Sequence, residues 1–248
     1  MARPLQEMVR LKEIDLVVSS EYPSGVPKMI EESPPWEKIF AKAKYGHRPD
    51  IKSGIEASLQ EGRELVEQGI ASDNADVLDL GCGNGRQLIG LVETGIGSYT
   101  GLDPIKKCIK FCNRQLASRI PNTRFVHLNV KNKMYNPKGK MLPEEVILPF
   151  DSDSFDSVIT GSVFTHLGTR TVSERYLEEI ARVLKSGGRL FSSWFRNPPY
   201  EISSEEYRTV FAKCDIEKML AKHFETYYSR GGSSGEWWDQ WCLYSGLR

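Results

Sequence analysis

The strongest constraint on this chain is a short strand that runs into a glycine-punctuated turn: Val77-Leu78-Asp79-Leu80, then Gly81-Cys82-Gly83-Asn84-Gly85-Arg86. Val77, Leu78 and Leu80 suit a strand buried on both faces. The glycines permit a tight bend with backbone amides bare toward a ligand, and Asn84 to Leu88 opens a helix whose positive end faces the same space. A second apolar run, Tyr99-Thr100-Gly101-Leu102, ends at Asp103 and Pro104, eighteen positions after Gly85. A carboxylate there can accept from both hydroxyls of a ribose.

Spacing separates the cofactors that such a cradle could serve. A dinucleotide fingerprint, G-x-G-x-x-G, would begin at Gly81 and Gly83 and place its third glycine at 86, where this chain has Arg86. Asp79 would also stand near the pyrophosphate and repel it. A zwitterionic amino-acid tail beside a sulfonium suits Asp79 better, because a carboxylate favours a neighbouring cation.

Two later segments extend the pattern. Phe155-Asp156-Ser157-Val158-Ile159-Thr160-Gly161-Ser162-Val163-Phe164-Thr165-His166-Leu167 reads as a buried strand and a lip. Tyr176 to Leu190 reads as an amphipathic helix, a Gly187-Gly188 stop and another strand. Residues 75–195 together resemble the class I S-adenosylmethionine-dependent methyltransferases. The resemblance implies an α/β fold, a doubly wound, mostly parallel, seven-stranded Rossmann-like sheet with an antiparallel last strand and an N-terminal helical cap. It implies S-adenosylmethionine as cofactor and S-adenosylhomocysteine as product. Asp79 would hold the amino group, and Gly81, Gly83, Asn84 and Gly85 would line the methionine moiety. Asp103 and Pro104 would lie at the ribose, and Ile105 would flank the adenine. Asn129, followed by Val130, stands where the family has an acid for the adenine amino group; an amide oxygen can still accept that bond. Gly161 and Ser162 would form the lip beside the methionine end.

Hydrophobic periodicity places strands near 76–80, 98–103, 124–129, 155–161 and 188–195, with helices near 84–93, 104–119 and 172–185 between them. That alternation predicts right-handed crossovers and a parallel sheet. A helix is expected over 51–70, and two further strands, 225–229 and 238–244, flank Gly231-Gly232-Ser233-Ser234-Gly235 as a hairpin. Residues 1–50, rich in proline and charge, read as a cap or lid with a helical apolar patch from Trp36 to Lys44, or as a plain appendage. Residues 51–248 read as one methyltransferase domain. The insertion from Lys131 to Phe150 is long enough to suggest a functional loop.

His166 follows the fourth strand and titrates near working pH, so it is the candidate general base; the competing reading is that it shapes the rim of the pocket. His127 and His223 read as structural, and His47 reaches substrate only if the lid closes. Trp36, Tyr135, Trp194 and Trp238 are the candidate substrate contacts, because flat aromatic faces suit rings, sugars and cations. Asp151 and Asp153 read as turn formers, and no metal site is expected.

Lysine plus arginine balance aspartate plus glutamate at 33 each, which supplies no overall field for nucleic acid or an anionic membrane. The five cysteines form no paired zinc or disulfide framework and read as reduced thiols, with Cys112 in the core. No apolar run approaches the roughly 18 residues of a spanning helix, and the first residues lack a secretory core, so a cytoplasmic enzyme with a small-molecule acceptor is expected. The expected reaction is transfer of a methyl group to a hydroxyl oxygen of a biosynthetic metabolite. Nitrogen or carbon acceptors, an RNA or protein target, and non-catalytic binding of the cofactor are the alternatives.

Overall fold

The computed structural model describes residues 35–42, 51–195, 209–231 and 240–248. Five parallel strands form its centre: β1 (Asp76–Leu80), β2 (Ser98–Asp103), β3 (Thr123–His127), β4 (Phe155–Thr160) and β5 (Leu184–Phe195). Two more, β6 (Phe224–Gly231) and β7 (Gln240–Leu247), complete a seven-stranded sheet of order β3-β2-β1-β4-β5-β7-β6. β7 lies antiparallel to both β5 and β6. The doubly wound, mostly parallel sheet expected from the sequence is therefore the observed one.

Alternation along each strand divides the core between two layers. Val77 of β1 enters a first apolar cluster with Leu88, Ile89, Leu91, Tyr99 and Cys112, while Leu78 and Leu80 enter a second with Val158, Leu177 and Ile180. The first layer holds α2 (Ile51–Glu67), α3 (Arg86–Thr94) and α4 (Lys106–Cys112), and the second holds α5 (Arg170–Val183) and α6 (Lys213–Leu220). Two-sided burial is why the strands read as nearly continuous apolar runs. α5 is capped by Thr169, whose Oγ1 accepts from Val172 N at 3.2 Å.

α2 and α3 cross more closely than any periodicity predicts. A Cβ added at Gly90 would lie 2.0 Å from the Ser58 carbonyl, and one at Gly62 would lie 2.5 Å from Gly90. Only bare backbone fits there. Arg86 at the start of α3 fastens the same pair, donating to Ser58 Oγ at 3.0 Å and lying 3.5 Å from Glu61.

Several boundaries differ from expectation. β5 starts at Leu184 rather than 188, because Gly187 (φ 74°) sits in a bulged stretch where the β4 register shifts, instead of terminating α5 in a separate turn. α4 is shorter than the expected 104–119 and passes into a π-helical turn, Asn113–Ala117. Of the expected N-terminal cap, the described part is α1 (Trp36–Phe40); Trp36 and Ile39 are buried in the first cluster, so this part packs as core. The rest of that segment, Trp238 and most of the hairpin turn lie outside the described residues.

Candidate active site

The glycine turn leaves the carboxyl end of β1 at the point where strand order reverses between β1 and β4, which is where open α/β sheets bind ligands. Gly81, Gly83 and Gly85 all take left-handed backbone (φ 83°, 53° and 78°). At Gly83 a Cβ would meet nothing within 4 Å, so this glycine serves conformation and leaves its outer side open. Beneath, Gly81 N and Cys82 N donate to Leu102 O at 2.7 and 3.1 Å, joining the turn to the end of β2. Asn84 completes the turn before α3.

Asp103 organises the second half of the cradle. Its Oδ2 accepts from Gly83 N at 2.8 Å and its Oδ1 from Ile105 N at 2.7 Å. It therefore holds the glycine turn and the start of α4 at once, and each oxygen keeps a lone pair for a further donor. Burial pushes its carboxyl above the ordinary value, against the two amide bonds that favour ionisation. Pro104 continues the frame through its carbonyl, 3.1 Å from His127 Nε2, and Ile105 caps α4 in an extended conformation.

Asp79 is 1% exposed and accepts from Tyr99 Oη at 2.5 Å. Burial raises its carboxyl to about 7, and the Tyr99 hydrogen bond only partly opposes this. The sequence places an amino group against this carboxylate; its partner in the structure is the Tyr99 hydroxyl. Cys82, Cys108 and Cys112 are buried around the same turn as free thiols, and Cys112 Sγ lies 3.5 Å from Gly83 O.

The lip after β4 is strained and held. Ser162 has φ 59°, costly for a residue with a side chain, and three contacts fix it. Its N–H donates to Ser193 Oγ at 2.7 Å, its carbonyl accepts from Thr165 Oγ1 at 2.6 Å, and its Oγ accepts from Gln240 Nε2 at 3.1 Å. Gly161 lies against Gln87 of α3, whose Nε2 would be 3.1 Å from an added Cβ.

The insertion closes the third side. Asn129 Oδ1 accepts from Asn136 Nδ2 at 3.2 Å, so the amide suggested for adenine is partly engaged within the loop, and Asn136 Nδ2 also donates to Val130 O at 3.0 Å. Val130 itself is buried. Asn132 Oδ1 accepts from Met134 N and Tyr135 N, and its Nδ2 donates to His166 O at 3.1 Å, tying the insertion to the lip. Tyr135 meets the His166 ring edge-on at 5.3 Å, and His166 meets Phe195 at 6.0 Å. Two candidates from distant parts of the sequence therefore touch. Burial raises the Tyr135 hydroxyl, with the Asp103 charge adding to the effect.

Farther along, Glu179 of α5 pins the insertion's second arm. It accepts from Leu148 N at 2.8 Å and pairs with Arg182 and Arg175 at 2.7 and 3.1 Å, and those arginines donate to Phe150 O, Leu148 O and Val146 O.

Two aromatic candidates do not face this space. Trp194 is 1% exposed, stacked on Phe164 at 4.1 Å with its Nε1 donating to Ser192 Oγ, because its strand position points into the second core layer. Trp36 Nε1 points to Glu93 at 3.4 Å, near the far end of α3 and about 12 Å along that helix from Gly85. Sequence reasoning missed Gln87, Asn132, Asn136, Ser193 and Gln240; the asparagines carried a turn-forming signal, and the others carried none.

Residues 78–192 match the family described as a methyltransferase domain. Demethylmenaquinone methyltransferase of Clavibacter sepedonicus is 29% identical over 177 residues, 69% of this chain and 63% of that protein. Phthiotriol/phenolphthiotriol dimycocerosates methyltransferase of Mycobacterium leprae is 26% identical over 80% of this chain and 67% of its own length. The chain spans about half to two thirds of the length of such curated relatives. Among solved structures, the 1,6-didemethyltoxoflavin-N1-methyltransferase of Burkholderia thailandensis, determined with 1,6-didemethyltoxoflavin and S-adenosylhomocysteine, superposes with TM-score 0.55 at 17% identity, covering 85% of this chain and 81% of that one. At that identity the likeness is one of fold. Residues 78–192 thus carry the match to a methyltransferase domain, within a fold shared with a solved S-adenosylmethionine-dependent methyltransferase. None of the described helices is long and apolar enough to cross a membrane.

Proposed function

We propose that the protein transfers a methyl group from S-adenosylmethionine to a small-molecule acceptor, at a hydroxyl oxygen. The observation that carries the cofactor reading is Asp103: one carboxylate at the end of β2 fixes the Gly83 amide and still has lone pairs for a ribose. The open outer side of Gly83 and the start of α3, suited to a carboxylate, fit the same ligand. When bound, S-adenosylmethionine supplies a methyl group on a sulfonium, already electrophilic without covalent help from the protein.

The protein's part is then to position and to exclude water. Asp103 and the turn hold the nucleoside end. Tyr135, edge-on to His166, walls the acceptor side, and His166 takes the proton from the accepting hydroxyl. Residues 51–248 make up the catalytic domain in this reading, with residues 1–50 as its cap, in the cytoplasm. The curated relatives above, named for a menaquinone precursor and for dimycocerosates, support a small organic acceptor rather than a polymer. The test is formation of S-adenosylhomocysteine across a panel of phenolic, quinol, amine and carbon-acid acceptors. Turnover on phenols or quinols is expected. Retention of the cofactor with no turnover on any member would leave a binding protein and overturn the catalytic reading.

A further inference from the structure

We propose that the insertion between β3 and β4 docks the protein on an anionic lipid bilayer. That docking brings the acceptor side to the membrane rests on the reading of Tyr135 and His166 above. The whole chain balances its charges at 33 each, yet from Lys131 to Pro143 it has Lys131, Lys133, Lys138 and Lys140 and no acid. All four lysines are exposed. Three of the six large exposed apolar residues among the described ones, Met134, Leu142 and Ile147, belong to the same insertion. Scattered singly, such residues need no explanation; beside a block of one charge they describe a surface with a use.

The backbone gathers these side chains. Asn132 and Asn136 exchange both backbone hydrogen bonds, at 3.1 and 3.0 Å, so Lys133, Met134 and Tyr135 form the tip of a tight turn. Tyr135 meets the His166 ring at 5.3 Å, while Met134 beside it is 48% exposed. On the return, Gly139 lies so close to Val130 that an added Cβ would be 2.4 Å from its carbonyl, which sets Lys138 and Lys140 alongside Lys131. Val130 pairs with Met141 there; Val130 lies in the second core cluster and Met141 packs against it. The residues that follow them, Lys131 and Leu142, alternate to the outside, where Leu142 is 46% exposed. Glu144 and Glu145, in the 3-10 turn Pro143–Glu145, bound the patch.

The ammonium groups suit lipid phosphates as point charges, and an anionic bilayer favours each by about fivefold. Methionine and leucine side chains suit the boundary between headgroups and acyl chains. A nucleic acid would call instead for open aromatic faces beside the lysines, and Tyr135 has its ring against His166.

Co-sedimentation of the full-length protein with vesicles tests the docking without cofactor or acceptor. At low salt it should bind an equal mixture of phosphatidylcholine and phosphatidylglycerol at least about tenfold more tightly than phosphatidylcholine alone, and the preference should shrink as salt rises. Lys131→Gln, Lys133→Gln, Lys138→Gln and Lys140→Gln together should bring that ratio to within about twofold. Lys138→Gln alone should lower it by about fivefold, and it carries the test if the fourfold variant does not fold. Met134→Ser with Leu142→Ser should weaken binding to the mixed vesicles by on the order of fivefold or more and keep the salt dependence. Calorimetric affinity for S-adenosylhomocysteine should stay that of the parent in every variant. Equal binding to both kinds of vesicle, a lysine variant that keeps the preference, or a serine variant that binds as tightly as the parent overturns the docking and leaves the cofactor reading standing. So does retention of a single-stranded RNA by the parent, lost in the lysine variant, with no binding to vesicles. Docking by a parent protein that fails to bind S-adenosylhomocysteine supports this surface and strikes the cofactor reading alone.

Discussion

Asp79 offers a sharp test, because replacing it by asparagine keeps its shape and its acceptor for Tyr99 while removing its ionisation. The carboxyl titrates near 7 in the folded protein against 3.8 for the free side chain, and burial is the main cause. A raised acid favours the folded state most when protonated. Its contribution is complete below about pH 3.8, declines as pH rises, and levels off above about 7. At ~1.4 kcal/mol per pH unit, the folded form loses on the order of 2–3 kcal/mol from this group between pH 5 and pH 7.5. Asp79→Asn lacks that loss. The variant should therefore gain on the order of 2–3 kcal/mol on the parent protein between those two pH values, whatever constant offset the substitution adds. Guanidinium denaturation of both proteins at several pH values measures the difference between their slopes. Parallel curves would mean that Asp79 reaches solvent or a cation in the folded state, and the account of it as a buried acid would fail.

Asp103→Ala should weaken S-adenosylhomocysteine binding by about 1.5–3 kcal/mol in calorimetry, the range for hydrogen bonds to a charged group, and unchanged affinity would remove it from the ribose. His166→Ala should lower turnover on the order of a hundredfold with cofactor affinity preserved; near-normal turnover would make it a rim residue. Gly90→Ala should cost about 1–3 kcal/mol in denaturation, since its Cβ would press within 2.0 Å of the Ser58 carbonyl, whereas Gly246→Ala, with open space around it, should change little. Equal effects at the two glycines would refute the close crossing of α2 and α3.

The central sheet was legible because its strands are short apolar runs between glycine and aspartate breaks: β1 and β2 fall where the sequence puts them, and α5 follows its periodicity closely. Less legible was anything set by contacts between distant segments. Gly187 looked like a helix stop and became part of a bulge, because pairing with β4 decides where β5 begins. Tryptophans were read as pocket walls on chemistry alone; strand parity and helix position send Trp194 and Trp36 into the core. Asp79 and Asp103 belong to one sequence pattern, and only the structure shows that the first takes a tyrosine hydroxyl and the second two backbone amides.

The order of the last strands bears on how the molecule is made. β6 touches the sheet only by way of β7, although β7 follows it in the chain. A nascent chain that has released β6 must hold that strand in waiting, and the open edge of β5, until synthesis delivers the piece that fits between them. That interval is when the emerging protein is most open to pairing with a neighbour, and it is where a chaperone would have the most to protect.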